Sequence, residues 1–126
     1  MKQKIELEYT LNTSPKVLFP RLSSPSGLSE WFADNVNVRG NIYSFIWDDS
    51  EQQAELVNIK ENKCIRFKWL SEEDANTYFE FRINQDELTG SLALLITDFI
   101  DDDDEKEEIV DLWDSQINSL KRAIGL

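Results

Sequence analysis

The sequence predicts an α+β fold: a curved antiparallel sheet of six to seven strands, two short helices inserted after the first strand, and a long C-terminal helix packed on the sheet. Three observations carry that expectation. A strictly alternating strand opens the chain, short strand-like segments separated by turns fill its middle, and one amphipathic stripe ends it. A sheet wrapped around a helix in this order leaves room for an apolar cavity between the two.

The first strand is Ile5 to Leu11, where Ile5, Leu7, Tyr9 and Leu11 alternate with Glu6, Glu8 and Thr10, the period of a strand with one buried and one wet face. Ser14-Pro15 then starts a short helix. Ser14 suits an N-cap, Pro15 is preset for the first turn, and Val17, Leu18, Phe19 and Leu22 supply apolar contacts. Pro20 lacks the N–H of a continuing helix and is expected to kink or end it. After the break Ser23-Ser24-Pro25-Ser26-Gly27, the spacing of Leu28, Trp31 and Phe32 predicts a second helix of about two turns.

From Val36 onward the pattern becomes strands joined by turns, with Arg39-Gly40-Asn41 as the first hairpin connection. In the strand Ile42 to Trp47, bulky Tyr43, Phe45 and Trp47 face one way and Ile42, Ser44 and Ile46 the other. Ala54 to Ile59 reads as a strand and Glu61-Asn62-Lys63 as a turn; Cys64 to Leu70 is a strand with Ile65, Phe67 and Trp69 opposed to Arg66 and Lys68. Ser71 to Asn76 is a polar loop, Tyr78 to Asn84 sets Phe79, Phe81 and Ile83 against Glu80 and Arg82, and Ser91 to Ile100 is a mostly apolar final strand. The closing helix runs from about Asp103 to Ile124 with Ile109, Leu112, Trp113, Ile117, Leu120 and Ile124 as its stripe. Acids at its start and Lys121 and Arg122 near its end suit the helix dipole.

Composition bounds the function. The 126 residues suit a single domain, residues 1–126, burying roughly two thirds of its unfolded surface, and 40% hydrophobic content is too rich for a disordered chain despite a net charge of -12. That charge repels phosphate backbones and anionic lipid, which argues against a nucleic-acid partner. No secretory signal and no apolar span are visible, so a cytoplasmic protein without membrane insertion is expected. Cys64 is the one cysteine, which removes internal disulfides and multi-cysteine metal motifs; the absence of histidine removes Ser-His-Asp, Cys-His and imidazole-metal sites. Lys63 and Arg66 lie near Cys64 in sequence, but no base does, and it reads as a packed strand residue. No phosphate-cradling glycine loop occurs.

The stretch Thr13-Ser14-Pro15-Lys16-Val17-Leu18-Phe19, followed by Pro25-Ser26-Gly27-Leu28-Ser29-Glu30-Trp31-Phe32, resembles the START-like superfamily, also called the SRPBCC or birch-pollen-allergen fold. Within it, the helix, break and Leu-x-x-Trp-Phe pattern is similar to the branch of homologues of the chaperone-ATPase activators. The resemblance implies a helix-grip fold whose sheet and long helix enclose a cavity, used in different members for lipids, hydrophobic metabolites, polyketide cyclisation or chaperone contact. The chaperone activators carry an additional N-terminal domain without a counterpart in this sequence, and no catalytic residue carries over by motif.

The expected function is therefore binding of a small hydrophobic or amphipathic ligand between sheet and helix, with no cofactor or metal. The expected ligand-binding residues are Trp31, Tyr43, Trp47, Phe67, Trp69, Phe81, Asp98 and Trp113; Tyr43 and the indole N–H groups are candidate orienting partners. Core packing is the competing reading of each ring. Asp98, between Thr97 and Phe99, is either an inward polar group with a raised pKa or a solvated strand-end carboxylate. The run Asp101-Asp102-Asp103-Asp104-Glu105 lacks the alternation and glycine of a calcium loop and reads as an acidic helix start. Two rivals stand beside ligand binding. One is a non-catalytic interaction or homodimerisation module using an outer patch of Ile42, Ile46, Leu70, Ala93 and Leu95; the other is a cyclase- or hydratase-like enzyme using Asp98 or Tyr43.

Overall fold

The structure, a computed structural model, describes residues 2–74 and 76–126. Met1 and Ala75, the latter inside the predicted polar loop, lie outside the described residues. The chain runs β1 (Gln3–Leu11), α1 (Pro15–Ser23), α2 (Pro25–Leu28), β2 (Asn35–Arg39), β3 (Ile42–Trp47), β4 (Ser50–Lys60), β5 (Cys64–Trp69), β6 (Phe79–Gln85), β7 (Leu92–Ile100), a 3-10 turn (Asp103–Glu105) and α3 (Lys106–Ala123). The strands form one seven-stranded sheet in the order β1-β7-β6-β5-β4-β3-β2. Every neighbouring pair is antiparallel. This is the α+β helix-grip arrangement predicted from the order of elements.

Alternation decides which face each side chain takes. Ile5, Leu11, Tyr43, Phe45, Ile65, Phe67, Phe79, Phe81, Leu92, Leu94 and Ile96 are buried on the inner face, and Trp113, Ile117 and Leu120 of α3 are buried with that core. The four rings Phe45, Phe67, Phe79 and Phe81 are fully buried at its centre.

Three local features differ from expectation. Pro20 does not end α1, which continues to Ser23; Ser14 caps it by accepting from Val17 N–H at 3.2 Å. The second helix is one turn, not two, because the N–H groups of Trp31, Phe32 and Ala33 all converge on the Leu28 carbonyl and close the helix there. Trp31 and Phe32 lie on the turn that follows and are still buried. Strand β4 begins at Ser50 rather than Ala54, joined to β3 by the two-residue loop Asp48-Asp49, with Asp48 at φ 40.

The strand order also divides the predicted outer patch. Ile42 and Ile46 lie on β3 with Leu70 following β5, whereas Ala93 and Leu95 lie on β7, four strand spacings or roughly 19 Å from β3. Charged Glu55, Lys68, Arg66, Glu80 and Arg82 occupy the outer face between them. Period-two alternation reports a face but not a strand order.

Candidate functional site

Between the inner face and α3 lies a cavity of about 370 Å³. The rings of Phe32, Trp47, Trp69, Phe79 and Trp113 form its apolar wall. Gln52, Gln116 and Asp98 supply its polar groups, and the half-exposed Leu112 stands at its rim. Phe32 stacks with Trp113 at 5.9 Å and with Phe79 at 5.7 Å, and meets Trp47 edge-on at 5.6 Å. Trp69 stacks on Phe79 at 4.8 Å. Rings held in several orientations offer the interior both faces and edges.

Asp98 reaches this cavity because β7 alternates: it shares the inner row with Leu94 and Ile96 and pairs with Ile5 of β1. Its Oδ2 accepts from Trp113 Nε1 at 3.0 Å and its Oδ1 from the Phe99 backbone N–H at 2.8 Å. Burial pushes the carboxyl above its ordinary pKa, while the Trp113 and Phe99 hydrogen bonds and the charge of Lys2 act in the opposite direction. Of the two readings of Asp98, the inward polar group matches its position.

Helix α3 is held over the sheet by polar contacts to β1 and to the Trp-Phe turn. Tyr9 O–H donates to Asp114 Oδ1 at 2.6 Å, and burial with this bond pushes the phenol pKa well up. Gln116 Nε2 and Trp47 Nε1 both donate to the Phe32 carbonyl, at 3.3 and 2.8 Å. Those two hydrogen bonds to one oxygen fix the Trp-Phe turn against both β3 and α3.

Of the eight residues expected to bind ligand, Trp47, Trp69, Asp98 and Trp113 line the cavity. Phe67 and Phe81 are wholly buried in the core beneath it. Trp31 lines a shallow groove with Ser29, Glu30 and Ser119 that adjoins the cavity at Phe32, Trp47 and Gln116, and Tyr43 donates its hydroxyl to the Ser23 carbonyl at 2.9 Å, tying α1 to β3. The expectation that the indole N–H groups would orient a ligand is corrected for three of them. Trp31 donates to Arg21 O, Trp47 to Phe32 O and Trp113 to Asp98. Tyr43 and Asp98 therefore do not meet in one site.

Five further residues line the cavity beyond the eight expected to bind ligand: Phe32, Gln52, Phe79, Leu112 and Gln116. Phe32 and Phe79 belong to the aromatic stripe and were as legible as the rest; Leu112 was legible in the helical stripe. Gln52 sits in the polar run Ser50-Glu51-Gln52-Gln53, where no alternation marks a face, and only its pairing with Phe45 turns it inward.

A helix-grip domain with an aromatic, carboxylate-bearing cavity is thus the class that fold and geometry define. The chain belongs to the START-like superfamily, whose domain profile matches residues 1–126. Among solved structures, BfR322 from Bacteroides fragilis is 41% identical, covering 97% of this chain and 90% of its own, with a TM-score of 0.70. The Aha1 dimer from Colwellia psychrerythraea is 16% identical over 97% of this chain and 96% of its own, at a TM-score of 0.80, and CalU16 from Micromonospora echinospora is 12% identical over 98% and 76%, at 0.74. Likenesses at 16% and 12% identity speak to the shared fold. No significant match to a functionally curated protein is found. Among the described residues, no helix is long and apolar enough to cross a membrane.

Proposed function

We propose that this protein binds a small hydrophobic or amphipathic molecule in the cavity between α3 and the inner face of the sheet. The observation that carries the reading is the cavity itself: about 370 Å³, walled by five aromatic rings with three polar groups. Small-molecule sites have this character, mostly apolar with a few placed polar groups. The test uses a neutral fluorophore, N-phenyl-1-naphthylamine. Replacing Leu112 by Trp fills the cavity from a half-exposed rim position and should abolish binding while leaving the urea midpoint nearly unchanged. Equal binding by wild type and Leu112→Trp would remove the cavity as the site. Native mass spectrometry of freshly purified protein adds an independent check, since a co-purified ligand appears as reproducible extra mass.

A second reading, a homodimer, draws on the outer face. Val38 and Leu70 are exposed and, with Ile42, line a groove across the β2-β3-β4 end of the sheet. The structurally similar Colwellia protein is described as a dimer. Light scattering of wild type and Leu70→Glu decides it: a dimer lost in the variant supports this reading, and a monomer at high concentration ends it.

A further inference from the structure

Taking the cavity as a ligand site, we propose that its occupant carries an ammonium group, seated against Asp98 and the surrounding rings. Of the nine lining residues, Asp98 alone is ionisable, and neither lysine nor arginine is among them. An anionic ligand would meet a carboxylate with no counter-charge. A neutral ligand would displace water from that part-buried carboxylate and replace neither its hydrogen bonds nor its counter-charge.

Among the described residues, dipoles supply the hydrogen bonds to Asp98 and no ion pair engages it. Trp113 Nε1–H and Phe99 N–H each take one oxygen, which leaves each oxygen a further lone pair. Lys2 acts on Asp98 through its charge alone, and it is already bound to Glu72 at 3.2 Å and Asp101 at 2.6 Å. A ligand N–H donor would complete both the hydrogen bonding and the charge.

The wall fits the same class of ligand. Indole is the best aromatic partner for a cation, and Trp47, Trp69 and Trp113 surround the space with Phe32 and Phe79. Gln52 and Gln116 contribute amide oxygens able to accept from an ammonium. At longer range, a net charge of -12 raises the local concentration of cations and depletes anions.

Three ligands of matched length test the idea: n-octylammonium, 1-octanol and octanoate, each below its aggregation limit, titrated into the full chain at neutral pH and followed by tryptophan fluorescence. Octylammonium should bind at least about tenfold more tightly than octanoate, with octanol between them. Asp98→Asn should shrink that preference to under about threefold while octanol binding persists. Trp47→Leu should weaken octylammonium by about fivefold and octanol much less, and it carries the test should Asp98→Asn fail to fold. Octanol or octanoate binding as tightly as octylammonium, or a preference that survives Asp98→Asn, overturns the ammonium assignment and leaves the cavity as a ligand site. Failure of all three ligands to bind removes the cavity reading together with this one.

Discussion

Asp98 is an acid that folding makes harder to ionise, and its effect on stability has a definite sign. Burial raises its folded-state pKa above the ordinary 3.8. The folded protein therefore keeps this proton over a window in which the unfolded chain has released it, and there stability falls as pH rises. The contribution is fully present below the unfolded value and is lost as pH climbs through the folded one. Glu72 and Asp101 work in the other direction: a backbone hydrogen bond to Glu72 and the Lys2 ammonium beside both acids lower their pKa values, so their contribution is lost as pH falls. Urea midpoints of wild type and Asp98→Asn across pH 3 to 7 separate the two effects, because Glu72 and Asp101 cancel in the difference. Wild type should lose stability relative to the variant from about pH 4 upward, and a flat difference would place Asp98 in water. Gly27 makes a second prediction at this scale. A Cβ there would lie 2.1 Å from the Pro20 carbonyl oxygen and 2.7 Å from the Arg21 Cα, both backbone atoms that cannot step aside. Gly27→Ala should cost about 1–3 kcal/mol by urea denaturation, through separation of α1 from α2.

Among the elements, α3 closes the core as well as the cavity. Ile117 and Leu120 are buried with the inner face of the sheet, while Leu112, Trp113 and Gln116 look into the open space. The helix thus divides along its length into a packing half and a lining half. Leu120→Ala, at a position with no solvent exposure, should cost about 3 kcal/mol by urea denaturation yet leave the cavity wall in place. Binding of N-phenyl-1-naphthylamine retained in that variant would confirm the division. The stripe of α3 and the alternation of β1, β5 and β6 were legible because each buries one face against a single neighbour, so periodicity maps directly onto burial. The start of β4 was not, since Ser50 to Gln53 is polar on both faces. The length of α2 was also hidden, because its end depends on three N–H groups sharing the Leu28 carbonyl, a matter of backbone geometry rather than side-chain pattern. Of the site, Trp47, Trp69 and Trp113 could be read from their faces. Which rings line space and which fill it depends on where α3 sits, and that is set by long-range contacts such as Tyr9 to Asp114 and Gln116 to the Phe32 carbonyl.

Taken whole, the molecule carries 25 acidic and 13 basic side chains, and its ion pairs offset little of the imbalance. Among the described residues, ion pairs engage Glu30 with Arg21, Glu72 and Asp101 with Lys2, and Glu80 with Arg66 and Arg82. The run Asp101 to Glu105 places five like charges together, Asp101 among them, tempered by Lys2, by the Asp102 cap on the Asp104 N–H, and by the start of α3. Folding gathers these acids into a smaller volume than the unfolded chain occupies, so net repulsion opposes it. Salt shortens the reach of that repulsion, from about 30 Å at 0.01 M to about 3 Å at 1 M ionic strength. It also weakens the few exposed pairs, each worth roughly 1 kcal/mol or less. With repulsion the larger of the two, sodium chloride should raise stability at pH 7 by on the order of 1 kcal/mol, the size of one contact pair of charges in water. Urea denaturation reads this directly, because guanidinium would itself supply the salt. A midpoint that falls as sodium chloride rises would mean that the local pairs at Lys2 and Glu80 outweigh the charge of the molecule as a whole.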